Sequence, residues 1–216
     1  MFGVCSDLNL RSSGVVSANI KGYGVNGAIC GALLYGYFDQ IYVQSEVNIK
    51  LLSTSSSPQI GGLFGKITDF SSTNLQVTIN NSYSLASIDS LATNKSGGFI
   101  GELEMLNNVS VKIINSYVDA NLSSSSGNFI GKLSACNGAL VFTNSYFNNL
   151  NGFDPIFNRS GCVVNSFPLG LNSSELYGNL SINFPSSLWC NGRLLIGIIF
   201  FIIILLLLIK NSFNRI

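Results

Sequence analysis

A short glycine-rich pattern occurs three times in this chain. The copies occupy residues 61–67, 97–103 and 127–133, which have the sequences GGLFGKI, GGFIGEL and GNFIGKL. An Asn-Ser-Tyr triplet follows each copy, beginning at Asn81, Asn115 and Asn144. Equivalent glycines are 36 and 30 residues apart, at Gly65, Gly101 and Gly131. A period of this length is typical of solenoids, in which each repeat buries its apolar face only against its neighbours.

The residues before each triplet alternate between apolar and polar. Ile79, Val77 and Leu75 precede Asn81 by two, four and six residues, and the other copies keep this order in most places. Period two predicts a strand with one buried face. We therefore expect a mainly β fold, a parallel β-helix (solenoid) of about four to five irregular rungs.

We interpret the repeated glycines and asparagines as corners of the coil. Glycine allows unusual dihedral angles and close backbone approach, and Asn tolerates the left-handed region and can form a ladder with the Asn of the next rung. The residues expected to have this role are Gly61, Gly65, Gly97, Gly101, Gly127, Gly131, Asn81, Asn115 and Asn144. A phosphate-binding loop needs a Lys-Ser/Thr pair and a helix start, which this pattern lacks.

The repeat is weaker at both ends. Residues 28–33 (AICGAL) form a degraded glycine pattern, and the end of a further rung is indicated by Val16, Ala18 and Ile20. No capping segment precedes these residues, which favours an incomplete chain. In the third copy Asn149 and Asn151 replace apolar residues, which predicts a bulge or a frayed turn near Asn148. A further degenerate rung is indicated around residues 163–167.

Charged residues occupy equivalent positions on the glycine strands. Lys66, Glu102 and Lys132 alternate with the face formed by Leu63, Gly65 and Ile67, so we expect their face to be solvated. Parallel stacking would place them in one column of alternating sign, at about 4.8 Å spacing. Glu102 and Glu104 form the only local carboxylate pair, which we interpret as solvated strand residues rather than polysaccharide-cleaving acids.

A column of tyrosines is predicted by the same alignment. Tyr83, Tyr117 and Tyr146 would stack if the rungs are regular. Stacked aromatic side chains stabilise a sheet, and an exposed column could also bind sugar rings. We favour the structural role.

Composition excludes several kinds of chemistry. Charged residues make up 10 % of the 216 residues, the net charge is +1 and there is no histidine. Nucleic acid is not expected as a partner, because a binding face for it would be basic. No catalytic, cofactor-binding or metal-binding residue is predicted. The five cysteines form no Cys-x-x-Cys pair; we favour small buried hydrophobic residues over disulfides for Cys5, Cys30, Cys136, Cys162 and Cys190.

An apolar run near the C-terminus predicts a transmembrane helix. The sixteen residues 194–209 carry no polar side chain and lie between Arg193 and Lys210. At 1.5 Å per residue the run would be about 24 Å long, and the flanking cations can reach the interface. The cations after the run favour a cytoplasmic tail and extracellular repeats. The N-terminus has no signal-peptide pattern, which leaves a tail-anchored cytosolic protein as the alternative topology.

Seven Asn-x-Ser sequons are candidate glycosylation sites. They begin at Asn80, Asn94, Asn108, Asn121, Asn158, Asn172 and Asn179. Chance accounts for most of them, because Asn and Ser are abundant in this chain.

The repeat resembles a known family. The combination of Gly-Gly-Leu-Phe-Gly with the later Ile-Asn-Asn-Ser-Tyr is similar to the GLUG repeat of large surface proteins, adhesins and some secreted proteases, over about residues 27 to 150. The resemblance implies an extracellular β-solenoid that serves as a stalk or spacer. We divide the chain into solenoid repeats (1–151), a degenerate rung or cap with a juxtamembrane linker (152–192), the transmembrane helix (193–210) and a short tail (211–216).

We therefore expect a single-pass, membrane-anchored surface protein that displays a solenoid for adhesion or partner contact, without catalysis. The plasma membrane is the expected location. The expected partners are the lipid bilayer, a surface protein or carbohydrate ligand, and a second copy bound through open strand edges. The alternatives are a membrane-tethered β-helical carbohydrate-active enzyme and a non-functional fragment of a larger repeat protein.

Overall fold

The computed structural model describes residues 2–52, 58–68, 76–89, 95–106, 110–122, 126–149, 154–160, 162, 164, 166–172 and 175. They belong to one compact unit, Met1–Tyr177. The second unit, Gly178–Ile216, lies outside the described residues, and the predicted transmembrane helix and tail fall within it. Among the residues that the structure describes, no helix has the length and apolar character needed to cross a membrane.

Within the described ranges, twenty strands account for almost all of the regular structure. They are β1 Phe2–Cys5, β2 Leu8–Gly22, β3 Val25–Gly27, β4 Cys30–Leu33, β5 Gly36–Leu51, β6 Gln59–Gly61, β7 Phe64–Thr68, β8 Gln76–Asn80, β9 Tyr83–Ser84, β10 Ser87–Asp89, β11 Ser96–Gly97, β12 Ile100–Met105, β13 Ser110–Ile114, β14 Tyr117–Val118, β15 Asn121–Leu122, β16 Ile130–Cys136, β17 Ala139–Thr143, β18 Tyr146–Asn148, β19 Ile156–Asn158 and β20 Leu169–Leu171.

The strands coil into a parallel β-solenoid of about four turns, which confirms the predicted β-helix. Sheet 1 has the strand order β1-β4-β7-β12-β16-β19, and sheet 3 has the order β11-β6-β3. Sheet 2 has eleven strands around the long strand β5, which pairs along its length with β8, β9 and β10 in succession and with β2 on its other side. One long strand of an early turn is thus divided into three short strands in later turns.

The core lies inside the coil and follows the predicted period of two. Val77 and Ile79 of β8 are fully buried and align with Val111 and Ile113 of β13. The alternation fails at Phe64, which lies two residues before Lys66 but is fully buried, with its ring 4.8 Å from that of Phe38. Phe64 and Lys66 both lie in β7, so the predicted period of two does not hold along this strand.

The weaker copies are also placed by the strand register. Cys30 and Leu33 of β4 pair with Phe64 and Ile67, which confirms residues 28–33 as a glycine-pattern turn. Ala18 and Ile20 pack against the core as expected, but Val16 does not. Val16 is 59 % exposed because the register of β2 and β5 shifts between Val15 and Ser17.

A bulge or a frayed turn was expected near Asn148; the described residues contain no bulge there, and most of the turn that follows lies outside them. β18 pairs with β20 without a register shift through Asn148, where the strand ends. A register shift occurs instead between β12 and β16, after Glu104. Ala135 is the extra residue of β16 at this shift and has a φ of 54°.

Candidate functional site

The asparagines form the predicted corner ladder. Asn81, Asn115 and Asn144 have φ values of 49°, 48° and 46°. Asn144 Nδ2 donates to Asn115 Oδ1 at 3.3 Å, and Asn115 Nδ2 donates to Asn81 Oδ1 at 3.2 Å. In the earlier turns Gln40 and Ser12 occupy the same corner, also with positive φ, and Ser12 Oγ donates to Gln40 Oε1 at 2.6 Å. The same corner therefore occurs at five stacked positions along the coil.

The serine after each asparagine is buried and satisfies the backbone of the corner. Ser82 Oγ accepts a hydrogen bond from Ile41 N at 3.1 Å and donates one to Asn80 O at 2.7 Å. Ser116 Oγ accepts from Ser82 N at 3.2 Å, which links this corner to the previous turn. These serines replace the backbone hydrogen bonds that the corner interrupts.

Tyr83 stacks on Tyr117 as predicted, and the stack extends further than expected, to Tyr42. The ring centroid of Tyr83 lies 5.0 Å from that of Tyr117 and 5.6 Å from that of Tyr42. Tyr146 is the partner of Tyr117 in the strand register. Tyr83 and Tyr117 are each only 5 % exposed. Burial, together with the neighbouring Tyr42, raises the pKa of Tyr83 to about 12. The hydrogen bond from Gln44 lowers this pKa but does not outweigh the burial. The rings of Tyr83 and Tyr117 are therefore buried supports of the sheet, whereas Tyr42 and Tyr146 are half-buried.

The glycines are needed for close backbone approach. A Cβ on Gly61 would lie 2.7 Å from Gly101 N and 2.8 Å from Phe99 O, and closer still to Phe64 O. A Cβ on Gly101 would lie 2.5 Å from Ile60 N. Equivalent backbone contacts surround Gly65, Gly97, Gly127 and Gly131. None of these six glycines has a left-handed φ, so the expectation of unusual corner dihedrals is wrong for them. They allow sheet 3 to lie directly on sheet 1.

The predicted charge column forms, but it is not solvated. Glu102 pairs with Lys66 and Lys132 in the strand register, as expected for parallel stacking. Glu102 is nevertheless only 3 % exposed. Lys95 and Gln59, which lie at the start of the sheet 3 strands, cover it: Lys95 Nζ is 3.0 Å and Gln59 Nε2 is 2.9 Å from its Oε2. The prediction of a wet face is therefore wrong at Glu102.

Two carboxylates share this network. Lys132 Nζ lies 3.5 Å from Glu102 Oε1, while Lys66 Nζ forms a closer ion pair, 2.7 Å, with Glu104. Thr68 Oγ1 also donates to Glu104 at 2.7 Å. Both carboxylates are thus held by cations and hydrogen-bond donors from neighbouring turns.

The network keeps both carboxylates ionised. Burial by itself raises the pKa of Glu102, but the hydrogen bond and charge of Lys95, with smaller contributions of Gln59 and Lys66, outweigh it. The pKa of Glu102 therefore lies below its ordinary value. The pKa of Glu104 is also lowered, because contacts with Lys66 and Thr68 outweigh burial. A general acid of a glycosidase needs the opposite shift.

The cysteines are the clearest correction to the sequence analysis. Cys5 of β1 and Cys30 of β4 form a disulfide, and Cys162 is also disulfide-bonded. The favoured interpretation as small buried thiols is wrong for these three residues. The alternative, disulfides, applies to them, because stacking brings residues 25 apart in sequence onto adjacent strands.

The sequons lie in different surroundings. Asn121 and Asn172 are exposed, Asn80 and Asn158 are half-buried, and Asn94, Asn108 and Asn179 lie outside the described residues. In the part of the chain that the structure describes, no group of His, Cys, Asp and Glu could hold a metal ion.

Several residues of these columns were missed by the sequence analysis. Asp39, Gln40 and Tyr42 belong to the corner and the stack, although no Asn-Ser-Tyr triplet marks them. The spacing could have found them, since Tyr42 follows Gln40 by two residues, as Tyr83 follows Asn81. Gln59 and Lys95 carry no comparable signal, because they lie between repeats.

The fold and these columns define a parallel β-solenoid with asparagine corners and a tyrosine stack. Comparison with family models, curated proteins and solved structures gives no match to this chain. The resemblance to the GLUG repeat therefore depends on the residues of the motif alone, while the repetitive β-helix is shown by the structure.

Proposed function

We propose that this chain is a membrane-anchored surface protein whose solenoid is displayed outside the cell for adhesion or partner contact. The disulfide between Cys5 and Cys30 is the observation that carries the proposal. Disulfides persist in secreted and extracellular proteins and are rare in the reducing cytosol. Of the two topologies open to the sequence, this favours extracellular repeats. The apolar run of residues 194–209 supplies the proposed anchor.

The residue columns support a structural, non-catalytic role. Asn81, Ser82 and Tyr83 of one repeat each bond to or stack on an adjacent turn. Glu102 and Glu104 are ion-paired with lowered pKa values, so neither is suited to donate a proton near neutral pH. The repeated side chains thus stabilise the coil, which supports its use as a stalk or spacer similar to GLUG solenoids.

A second copy is the proposed partner at the first turn. Leu10 and Ile20 of β2 face the core but are only half-buried, whereas Phe38 and Ile49, their register partners in β5, are at most 1 % exposed. β2 has a single neighbouring strand in sheet 2 within the described residues. An edge strand of this kind can pair with another chain. Sedimentation of the wild-type chain and of Ile20→Lys tests this, with loss of association expected in the variant.

Topology is the direct test of the proposed function. The chain carries an N-terminal tag, intact cells are treated with protease, and free thiols are alkylated before and after reduction. We expect the tag to be lost while a cytosolic marker survives, and Cys5 and Cys30 to react only after reduction. A protected tag with freely reactive thiols would instead establish a cytosolic solenoid and overturn the proposal.

A further inference from the structure

Two of the seven sequons lie wholly within the described residues, and the first is built into the corner ladder. In Asn80-Asn81-Ser82, the Asn80 Nδ2 donates to Asp39 Oδ1 at 3.1 Å. Ser82 is fully buried, and both hydrogen-bonding functions of its hydroxyl are used, with Ile41 N and Asn80 O. The amide nitrogen that would carry a glycan is therefore packed against a neighbouring turn.

The second sequon, Asn158-Arg159-Ser160, has the opposite environment. It begins at the end of β19 and continues into a turn in which Arg159 and Ser160 are exposed. Asn158 Oδ1 accepts hydrogen bonds from Ser160 N at 3.0 Å and from Ser160 Oγ at 3.3 Å. Both contacts use the oxygen of the amide, so the side chain is fixed without using Nδ2.

The position of Asn158 in the sheet also leaves room for a modification. Asn158 pairs with Lys132, so it takes the next place in the column that contains Lys66 and Glu102. Glu102 is covered by Lys95 and Gln59, whereas Asn158 is half-exposed. In the described part of sheet 1, β19 is the last strand and has β16 as its one neighbour.

We propose that Asn158 is an N-glycosylation site of the folded solenoid and that Asn80 is not. The co-substrate is an oligosaccharide carried on a lipid diphosphate. Nδ2 of Asn158 bonds to the anomeric carbon and loses one proton, while the carbon–oxygen bond to the diphosphate breaks and the diphosphate leaves with the electron pair. Nδ2 keeps one hydrogen, and Oδ1 keeps its contacts with Ser160. A glycan on Asn80 would displace Asp39 from the corner and is incompatible with the native coil.

This inference rests on the proposed extracellular location, and the test separates the two. The full chain is made in eukaryotic cells, and the pool in which Cys5 and Cys30 are disulfide-bonded is isolated. An amidase then removes N-glycans in heavy-oxygen water, which converts each glycosylated asparagine to labelled aspartate for peptide mass spectrometry. We expect label at position 158 and none at position 80.

Variants give the matched control. Asn158→Gln, or Ser160→Ala if the first variant folds poorly, loses the mass of one glycan, and Asn80→Gln leaves the glycan mass unchanged. Label at position 80 in the oxidised pool, or an unlabelled position 158 in a chain that is oxidised, overturns the inference while the proposed location stands. If Cys5 and Cys30 react as free thiols and no sequon carries label, the proposed location is overturned. The inference about Asn158 is then overturned with it.

Discussion

Asn81 donates a hydrogen bond from Nδ2 to Oδ1 of Asp39 at 2.9 Å, and this contact gives the asparagine ladder its direction. Asn115 donates to Asn81 and Asn144 donates to Asn115 in the same sense. A carboxylate can only accept, so Asp39 must stand at the acceptor end. Each amide is polarised by the next, which strengthens the ladder beyond its separate bonds.

Replacing Asp39 by Asn is expected to weaken the corner at Asn81. Asp39 accepts charge-assisted hydrogen bonds from Asn80 and Asn81, and hydrogen bonds to charged groups contribute roughly 1.5–3 kcal/mol each. We expect Asp39→Asn to lower the free energy of unfolding by about 1–3 kcal/mol. Asp154→Asn, at an exposed position, is the control with the same change in charge. Equal losses in the two variants, measured by urea unfolding, would show that the ladder does not depend on the carboxylate.

Charge reversal at Glu102 is expected to cost more than charge reversal at Lys66. Glu102→Lys would bury a cation beside Lys95 and Lys132, and breaking a buried pair typically costs about 3–5 kcal/mol. Lys66→Glu places a carboxylate near Glu104, but the Lys66 side chain is 20 % exposed, so water screens the repulsion. The melting temperatures of both variants measure the difference. Similar decreases would count against the buried, parallel column.

Acid is expected to destabilise the solenoid through the same carboxylates. The folded-state pKa values of Glu102 and Glu104 lie below the ordinary value, so the unfolded chain binds protons first as the pH falls. Their contribution is complete above the unfolded pKa of about 4.3 and is lost as the pH falls towards the folded pKa. Unfolding measured between neutral and acidic pH should show this decline. Glu102→Gln should have a shallower decline; an unchanged pH profile would contradict the assignment.

Replacing either of two serines in the same repeat by alanine is expected to change the melting temperature, but in opposite directions for the two. Both are fully buried, but Ser84 Oγ has no hydrogen-bond partner among the described residues, whereas Ser82 Oγ has two. An unsatisfied buried polar group costs about 1–3 kcal/mol. Ser84→Ala should therefore raise the melting temperature, and Ser82→Ala should lower it. A decrease for both variants would show that the Ser84 hydroxyl is satisfied.

A methyl group is expected to be tolerated at Gly24 but not at Gly61. A Cβ on Gly61 meets the backbone of Phe64, Phe99 and Gly101, and overpacking of this kind typically costs about 1–3 kcal/mol or more. A Cβ on Gly24 meets no described atom within 4 Å, and loss of chain entropy in the unfolded state can stabilise by about 0.4–1 kcal/mol. Guanidinium unfolding of Gly61→Ala and Gly24→Ala compares them. Equal stability would refute the close approach of the two sheets.

The asparagine corners, the tyrosine stack and the charge register could be predicted because stacking in parallel repeats the same neighbour relation at every turn. Once Asn81 is aligned with Asn115, the positions of Tyr83 beside Tyr117 and of Lys66 beside Glu102 follow, as the register shows. This argument depends only on the period, which is a property of the sequence. It failed at Phe64, which is fully buried although alternation along β7 would place it on the same face as the half-buried Lys66.

The burial of Glu102 and the pairing of Cys5 with Cys30 were decided by the tertiary structure. Gln59 and Lys95 lie 43 and 7 residues from Glu102 and reach it only because glycines let sheet 3 lie on sheet 1. Five cysteines allow many pairings, and adjacent strands select one. The sequence by itself determined the repeat, the strand register and the corners, because these are contacts between equivalent residues. Contacts between non-equivalent residues depend on how the turns pack in space, and the period carries no information about them.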